Sequence, residues 1–474
     1  MKEKNDLSLF IFRRDLRIDD NTGLILALKE SKKVIPLFIF TPMQVSDSNK
    51  YKSSNAIQFM VESLYDLNKQ IKNINNKCRL WVAYGDEIEI IKKIYDKINF
   101  DAIYINEDYT PYSKIRDDRI KKFSKKEDIE LIVTSDILLN DTLEIYAKNG
   151  NSYYMFTPFY NQSLKISVRK PVTNKNKNYQ KLISEFLKWK IETVDKYLLS
   201  KDFYQINDHL AVEGGRVNGL YILGKMDKFK KYKTTKILPS FSTTMLSAHN
   251  KFGTVSIREI YQEFKKDKSG ELVKNLYWRD FYYYASIHFD KKFYQHQHIT
   301  KSLKEGEEIE IKWDNDKTYF KKWRKGETGF PFVDAAMREL NKTGFMHNRG
   351  RLIVSHFLVK DLLVDWKYGE RYFSKMLVDI DRAQNTGNWN WSASFGFDNS
   401  PFLRIFNPWS QSKKYDPECK YIKKWIPELK DVNNNDIHNW YKSFIKYPDT
   451  DYPVPIVDHA EQRKKFINFY KKLY

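Results

Sequence analysis

The chain has only two cysteines, Cys78 and Cys419, among its 474 residues. Two thiols are too few for a disulfide framework or a cysteine-rich metal site, so both are interpreted as ordinary thiols and no metal is expected. No run of eighteen apolar residues occurs, and the N-terminal segment MKEKNDLSLFIF lacks the parts of a secretory signal. The sequence therefore predicts an intracellular protein, cytoplasmic or nuclear, with no membrane association.

Positive charge, in contrast, is present in excess. The chain carries 82 Lys and Arg against 61 Asp and Glu, a formal net charge of +21. Such an excess favours a polyanionic partner, most simply nucleic acid, although coding bias towards lysine accounts for part of it. With 41% hydrophobic and 16% aromatic residues, the chain is globular and long enough for two or three domains.

The first part of the chain alternates short apolar runs with helix-compatible segments. The runs are Leu7–Phe12, Val34–Phe40, Leu80–Tyr84, Ala102–Ile105 and Leu131–Val133. This rhythm predicts βαβ units and a parallel sheet. Polar residues from Arg13 to Asn21 follow the first run, at the carboxyl end of a strand, where open α/β sheets bind ligands. No Gly-x-Gly-x-x-Gly follows, so an NAD site is not predicted there.

The later part of the chain has a different pattern. From Thr142 to Asn207 apolar residues become sparse, as expected for a long connection between domains. Beyond it, apolar residues recur at helical spacing, which predicts an all-helical domain. We therefore expect an α/β domain over 1–141, a linker over 142–207 and a helical domain over 208–474. The helical segments expected are Glu271–His288, Asp334–Lys342, Arg349–Tyr368 and Arg371–Leu377.

Six tryptophans lie between Trp313 and Trp409, together with three ordered motifs. The motifs are Gly326–Arg338, Thr343–Arg351 and Asp379–Trp391. They resemble the flavin-binding domain of the photolyase and cryptochrome family, and the resemblance extends over nearly the whole chain. It implies a Rossmann-like parallel α/β domain followed by an all-α domain that binds FAD.

The resemblance also implies which residues bind the cofactor. The hydroxyls of Thr243–Ser247 suit a helix cap when taken alone, but they match the family segment that holds the FAD pyrophosphate. Arg351 and Asp379 match a buried ion pair along the flavin, and Asn385 matches the residue that faces flavin N5. The implied cofactor residues are Tyr232, Thr243, Thr244, Leu246, Ser247, Arg279, Asn348, Arg351, Asp379, Asp381 and Asn385.

Trp389, Trp366 and Trp313 match the family relay that carries electrons from the surface to the flavin. Any one of them taken alone could equally be a core or surface aromatic residue. Trp323 is interpreted as packing. Trp278 and Trp391 match the two indoles that form the apolar wall of a DNA lesion pocket. The residues implied to contact DNA are Lys236, Asn275, Trp278, Arg279, Phe345, Asn348, Arg349, Leu352, Trp391 and Arg404. For Lys236, ordinary surface charge is a strong alternative.

The pocket departs from the family pattern at three positions. Asn275 replaces the Glu that hydrogen-bonds the thymine edge during repair of cyclobutane dimers, which puts efficiency or lesion choice in doubt. Phe345 replaces a Trp and Leu352 replaces a Met. The segment around Phe345 is similar to DASH cryptochromes, whereas Trp391 follows dimer photolyases. The histidines of (6-4) photolyases are absent at Asn348 and Leu352, so that activity is not expected.

A second, antenna chromophore is implied without an identity. The segment Asn106–Pro111 resembles the deazaflavin pocket of some members, but Ala56 replaces an Arg usual in that pocket. The Asn-Glu pair of folate-binding members is not found at the matching place. Deazaflavin and folate both stay open.

Together these features imply light-driven DNA repair by an FAD enzyme. Photoexcited, reduced FAD would transfer an electron to a flipped-out cyclobutane pyrimidine dimer in UV-damaged DNA. Enzymes of this family are already known to act by base flipping. Asn275 and Asn385 would act with the relay in the reaction. We expect a monomer with no obligate protein partner. The alternatives are a cryptochrome-type blue-light receptor without repair activity and a flavin-free DNA-binding module.

Overall fold

The computed structural model describes residues 5–189, 191–192, 194, 203–289, 293–294, 312–398 and 403–471. In this part of the chain an N-terminal sheet has the strand order β5-β4-β1-β2-β3-β6. Its neighbouring strands are parallel except β3 and β6. The strands are β1 (Asn5–Phe12), β2 (Ser31–Phe40), β3 (Trp81–Tyr84), β4 (Ala102–Asn106), β5 (Glu130–Thr134) and β6 (Ile191–Glu192).

Both faces of this sheet are buried, as the apolar runs predict. Side chains alternate along β1, so that Phe10 and Phe12 belong to one core cluster and Leu9 and Ile11 to another. Helices α1 and α3 cover the first face, and α4 and α5 cover the second. The helices of this part are α1 (Thr22–Glu30), α2 (Pro42–Val45), α3 (Ser54–Ile74), α4 (Glu87–Ile98), α5 (Pro111–Lys126) and α6 (Phe156–Ser163).

The five predicted strands are present, each within a few residues of its expected bounds. The sixth, β6, has two residues and lies inside the expected connection 142–207. The same connection contains α6 and Tyr179, which is 1% exposed and packs in the core beside the sheet. The boundaries at 141 and 207 stay a prediction.

From residue 203 onwards the described residues form helices and turns, without a strand. These helices are α7 (Arg216–Leu223), α8 (Tyr232–Thr235), α9 (Ser247–Phe252), α10 (Ile257–Phe264), α11 (Glu271–His288), α12 (Lys317–Lys325), α13 (Pro331–Thr343), α14 (Asn348–His356), α15 (Trp366–Met376), α16 (Arg382–Ser392), α17 (Pro408–Tyr415), α18 (Lys420–Trp425), α19 (Asn434–His438), α20 (Trp440–Ser443) and α21 (His459–Lys471). Helix α11 has the predicted bounds.

The predicted helix Arg349–Tyr368 is wrong in its middle. Helix α14 ends at His356, a π-helical turn follows over Phe357–Asp361, and α15 begins at Trp366. Leu363 adopts φ +51°, which no helix accommodates, and the Asp365 side chain accepts a hydrogen bond from the amide of Lys367 to begin α15. Trp366 therefore starts a new helix.

The sheet and the helical part share one core. Ala248 and Phe252 of α9, and Val378, belong to the same cluster as the residues of α3 and of strand β1. This packing brings the carboxyl end of β1 against the helices that surround the site. Across the described residues, none of the helices combines the length and apolar character needed to span a bilayer.

Candidate active site

A cavity of about 300 Å³ lies among the helices of the second part. All of the residues predicted to bind the cofactor line it. They are Tyr232, Thr243, Thr244, Leu246, Ser247, Arg279, Asn348, Arg351, Asp379, Asp381 and Asn385. Asn275, Phe345, Leu352 and Trp389 line it as well. Residues separated by more than 150 positions in the sequence thus meet around one space.

One end of the cavity carries hydroxyls. Thr243, Thr244 and Ser247 lie at the start of α9, whose N-cap residue is Leu246. Leu246 has no side-chain oxygen, so the capping role that these hydroxyls would otherwise suggest is not what begins this helix. Nearby, Asn275 Nδ2 donates a hydrogen bond to the hydroxyl of Tyr232 at 3.1 Å. The segment therefore presents hydroxyl groups to the cavity.

Arg351 and Asp379 form the ion pair that the sequence predicts. Arg351 Nη2 lies 2.8 Å from Asp379 Oδ2, and Arg351 Nε donates to the carbonyl of Met346. The guanidinium also lies 5.3 Å from the centre of the Phe345 ring. Asp379 is 8% exposed, and a carboxylate buried to that extent needs such a partner.

Asp381 is held by groups from both parts of the molecule. Its Oδ1 accepts a hydrogen bond from the amide of Gln384 and so caps α16, while its Oδ2 accepts from Arg14 and from the Tyr283 hydroxyl. Burial opposes ionisation, but the cations Arg14, Lys251 and Arg279 outweigh it and lower the pKa of this carboxyl. Asp381 is therefore an anion fixed at the cavity.

Helix α16 orients Asn385 towards the cavity. The amide nitrogen of Asn385 donates both to the carbonyl of Glu370 and to Oγ of Ser374, each at 3.0 Å. Since both amide hydrogens point into the protein, the amide oxygen is the group presented to a ligand. Trp389 lies one turn further along the same helix and lines the same cavity.

The three tryptophans predicted to form the relay share the main helical core. Trp389 is 2% exposed and Trp366 is 4% exposed, while Trp313 is half-buried against Phe469 at 5.3 Å between ring centres. A Cβ added at Gly369 would lie 2.1 Å from the indole of Trp389, so α15 approaches that ring as closely as it does because the position is glycine. Trp323 is fully buried and donates Nε1–H to the carbonyl of Val354.

Trp278 and Trp391, the predicted wall, are connected through Phe156 and Asp398. The Phe156 ring stacks on Trp278 at 3.6 Å between centres, and the amide of Phe156 donates to Asp398 Oδ1. Trp391 Nε1 donates to the carbonyl of Asp398 at 3.3 Å. The guanidinium of Arg404 lies over the Trp391 ring at 5.6 Å. The Phe156 ring therefore covers one face of Trp278.

The predicted DNA-contacting cations differ in exposure. Arg279 is 5% exposed and donates to the carbonyl of Ile137, so its guanidinium is an internal group at the cavity. Lys236 pairs with Glu271 at 2.5 Å. Arg349 is half-buried, with its guanidinium 4.0 Å from the centre of the Tyr415 ring. Arg404 is exposed.

Several residues of the site were not predicted. Most are apolar or amide residues of the cavity wall, for which no local motif exists: Met245, Asn250, Ile260, Phe264, Leu272, Leu276, Met346, Phe373, Leu377, Ile380, Gln384 and Asn388. Arg14, which bonds Asp381, lies in the polar run after the first strand. The polar run predicts a ligand site at the edge of the sheet, but it does not predict the contact of Arg14 with the helical part.

The chemistry of the lining fits FAD. Hydroxyls at one end suit a pyrophosphate, and the ionised Asp381, the Arg351–Asp379 pair and the Asn385 amide suit a ribityl chain and the polar edge of a flavin. Phe373, Trp389 and Leu352 supply apolar surface for a ring system.

An open α/β sheet followed by a helical domain with this cavity defines a two-part flavin-binding protein. Residues 8–176 match the family model described as DNA photolyase, and residues 272–472 match the FAD binding domain of DNA photolyase. A deoxyribodipyrimidine photo-lyase of Alkalihalophilus pseudofirmus is 34% identical, over 99% of each chain. The chain belongs to the photolyase and cryptochrome family.

Two solved structures extend this likeness to three dimensions. An archaeal photolyase of Sulfolobus tokodaii, solved with two FAD molecules, has a TM-score of 0.85 and 39% identity, covering 98% of this chain and 100% of its own. A cryptochrome of Synechocystis has a TM-score of 0.86 and 26% identity, covering 100% of both chains.

Proposed function

We propose that the protein is a light-driven DNA repair enzyme that splits cyclobutane pyrimidine dimers. The observation that carries this proposal is the convergence of all the predicted cofactor residues on one cavity. The relatives named deoxyribodipyrimidine photo-lyase, similar along nearly the whole chain, support it. When bound and reduced, FAD would supply light-driven donation of one electron, which the opening of the dimer ring returns.

The chain's own residues bind and orient the reacting groups. Asn385 would present its amide oxygen as an acceptor for N5–H of the flavin, because both of its amide hydrogens are used inside the protein. The Arg351–Asp379 pair and the anionic Asp381 would fix the rest of the ring and its side chain. Little proton transfer is needed, and no acid–base pair is assigned.

The lesion would bind against Trp391 and the uncovered part of Trp278. The two linked bases of a flipped dimer lose their stacking partners in the duplex, and aromatic side chains replace those partners. Arg404 over Trp391, together with Arg349, would then contact the phosphates next to the lesion. Lys236 and Arg279 already bond to groups of the chain, so we assign them weaker parts in DNA contact.

Asn275 is the residue that would hydrogen-bond the base edge of the lesion. Its amide donates to Tyr232, which leaves its carbonyl oxygen and second amide hydrogen for a thymine edge. Phe345 and Leu352 line the same cavity and would shape the remaining surface. An uncharged amide here gives a weaker contact than a carboxylate, so repair proceeds with a lower yield per photon than a Glu would permit.

Electrons for reducing the cofactor would travel through Trp313, Trp366 and Trp389. The order follows exposure, since Trp313 is half-exposed and Trp389 is buried at the cavity. The net charge of +21 would attract the DNA and make its binding weaken with salt. We propose a monomer acting on UV-damaged DNA.

A second chromophore is proposed without an identity. The side chains of the segment that resembles a deazaflavin pocket are engaged within the protein, since Asp108 bonds Arg14 and Ser113 and Asn106 bonds Asn21. The Sulfolobus tokodaii photolyase contains two FAD molecules, which adds FAD itself to deazaflavin and folate as a candidate.

The proposal is tested with purified, chemically reduced protein and oligonucleotides that carry one cyclobutane dimer, one (6-4) product or no lesion. Loss of the cyclobutane dimer under blue or near-ultraviolet light, with none in darkness and none for the (6-4) product, is the expected result. Protein that contains reduced flavin but leaves the dimer intact in light contradicts it, and the photoreceptor alternative then takes its place.

A further inference from the structure

Arg14 reaches from the α/β domain into the flavin site. It lies just beyond the carboxyl end of β1, and its side chain is 10% exposed. Its Nη2 lies 2.5 Å from Asp381 Oδ2, its Nη1 lies 3.1 Å from Asp108 Oδ1, and its Nε donates to the carbonyl of Lys251 at 3.2 Å. One guanidinium therefore uses all three of its nitrogens to join three segments of chain.

Two of these segments carry different parts of the cavity lining. Lys251 belongs to α9, whose first residue, Ser247, lines the end with the hydroxyls. Asp381 is the N-cap of α16, which contributes Asn385 and Trp389 to the same lining. The third segment, with Asp108, follows β4, the strand beside β1 in the sheet. Arg14 thereby joins these two parts of the lining to each other and to the edge of the sheet.

Arg14 also balances the charge of Asp381. The carboxylate lies at the cavity surface and is buried, so it depends on nearby cations. Lys251 and Arg279 are close enough to act on it, but burial and the repulsion of Arg14 lower the pKa of Lys251 to about 7. At neutral pH the two arginines, Arg14 and Arg279, are thus the dependable cations, and Arg14 is the one in direct contact with Asp381.

We propose that Arg14 is a positioning residue of the flavin site, through which the α/β domain sets the affinity for FAD and its reduction potential. Removing Arg14 frees α9 and α16 to shift relative to each other, which weakens FAD binding. It also leaves the negative charge of Asp381 less neutralised. Reduction adds negative charge to the flavin, so the midpoint potential moves to a more negative value. The inference depends on FAD binding and not on the repair reaction.

Arg14→Gln tests this with a matched control at the adjacent residue. Arg13 is also a buried arginine, but its partners Asp117 and the carbonyl of Asn106 lie within the α/β domain. FAD dissociation constants are measured by flavin fluorescence on apoprotein whose folding is checked by circular dichroism. Arg14→Gln is expected to weaken FAD binding about tenfold or more and to lower the midpoint potential, and Arg13→Gln to change binding by less than about twofold.

Two further variants keep the proposal falsifiable. Arg14→Lys retains the charge but cannot reach Asp381, Asp108 and the Lys251 carbonyl at once, so an FAD affinity between those of wild type and Arg14→Gln is expected. If Arg14→Gln does not fold, the loss of affinity in Arg14→Lys relative to wild type still tests the proposal. In a cycle with Asp381→Asn, the two losses should be strongly non-additive. Wild-type FAD affinity in both Arg14 variants, equal losses in Arg13→Gln and Arg14→Gln, or additive losses in the cycle would overturn the proposal.

Discussion

Asn275 is the residue at which this chain departs most clearly from dimer-repairing relatives in the family pattern. It lies on the exposed side of α11 and lines the cavity, with its amide bonded to the Tyr232 hydroxyl. A carboxylate at this position has no hydrogen to donate but could accept a hydrogen bond from the Tyr232 hydroxyl, so the local geometry tolerates either group with the bond reversed. The difference between them then lies in the contact with the lesion.

Asn275→Glu is therefore expected to raise the yield of dimer repair several-fold, because a hydrogen bond to a charged group contributes roughly 1.5–3 kcal/mol. Repair per absorbed photon is measured with reduced protein and a dimer-containing oligonucleotide. Asn275→Gln has the length of Glu without its charge and should stay near the wild-type yield. A fall in yield for Asn275→Glu would show that the pocket is built around the amide.

The tryptophan relay is a second prediction at the residue scale. Trp366→Phe should slow the light-driven reduction of oxidised flavin by at least about tenfold, because phenylalanine is much harder to oxidise than the indole that it replaces. Repair by enzyme reduced beforehand should change little. Transient absorption of the flavin measures the first effect and the oligonucleotide assay measures the second.

Trp323→Phe is the matched control for the relay. Its ring centre lies 6.3 Å from that of Trp389, and it is as deeply buried as Trp366 and Trp389, but it is interpreted as packing. Photoreduction should persist in this variant. If Trp366→Phe reduces its flavin as fast as wild type, or if Trp323→Phe loses photoreduction instead, the relay assignment is wrong.

At the scale of elements, the π-helical turn Phe357–Asp361 organises the region behind the proposed lesion wall. It places Lys360 in the interior, where Nζ donates to Oγ of Ser394 and to the carbonyl of Arg404. Ser394 follows α16, which carries Trp391, and Arg404 lies over the Trp391 ring, so one buried lysine joins two segments next to Trp391. Burial, with a contribution from Arg404, lowers the pKa of Lys360 to about 7.

Because Lys360 is buried in this turn, the free energy of unfolding depends on pH, and the direction of the change can be predicted. Between pH 7 and about 10, the unfolded chain keeps the Lys360 proton that the folded chain has lost, so the free energy of unfolding rises with pH. In Lys360→Met this contribution is absent. The stability of wild type relative to Lys360→Met should therefore increase from pH 7 to pH 9, by at most about 1.4 kcal/mol per pH unit.

Denaturant unfolding of wild type and Lys360→Met at several pH values measures this difference. The window from pH 7 to pH 9 avoids the neighbouring Asp361, whose pKa burial raises to about 6, and the neutral His356, whose pKa burial lowers. Exposed Lys367→Met is the control, and its difference from wild type should stay constant. Parallel curves for wild type and Lys360→Met would contradict the account.

Elements with strong periodicity could be predicted from the sequence. Four of the five parallel strands can be predicted from their apolar runs because both of their faces are buried, whereas β5, at the edge of the sheet, is only partly buried. Helix α11 can be predicted because its apolar spacing is unbroken. The break after His356 could not be read, since it depends on the left-handed backbone of Leu363 inside an apolar stretch. Strand β6 has two residues, too few for any pattern.

The candidate site was predictable where short motifs carry it. Arg351, Asp379 and Asn385 each belong to a motif, and the structure gathers them around one cavity. Their roles stay predictions. The ion pair between Arg14 and Asp381 could not be predicted from the sequence, because the two residues are 367 positions apart. Each of them is interpreted separately, Arg14 as part of the polar run after the first strand and Asp381 as a cofactor residue. Contacts across domains follow from the packing of the whole chain.

At the scale of the molecule, the sheet and the helical part are coupled around the site. The core cluster that contains Phe10 and Phe12 continues into α9 and Val378, and Arg14 adds a charged bond to the same contact. The net charge of +21 surrounds this unit with a field that attracts polyanions at long range. Architecture and charge together suit an enzyme that finds a damaged site on DNA.

The most direct test of the account is the number of cyclobutane dimers removed from a defined oligonucleotide per light dose by purified, reduced protein, with a dark control, in duplex and single strands. The account predicts repair that rises with light dose, needs bound FAD and is absent in darkness. No repair at any dose by protein whose absorption shows reduced flavin would contradict it.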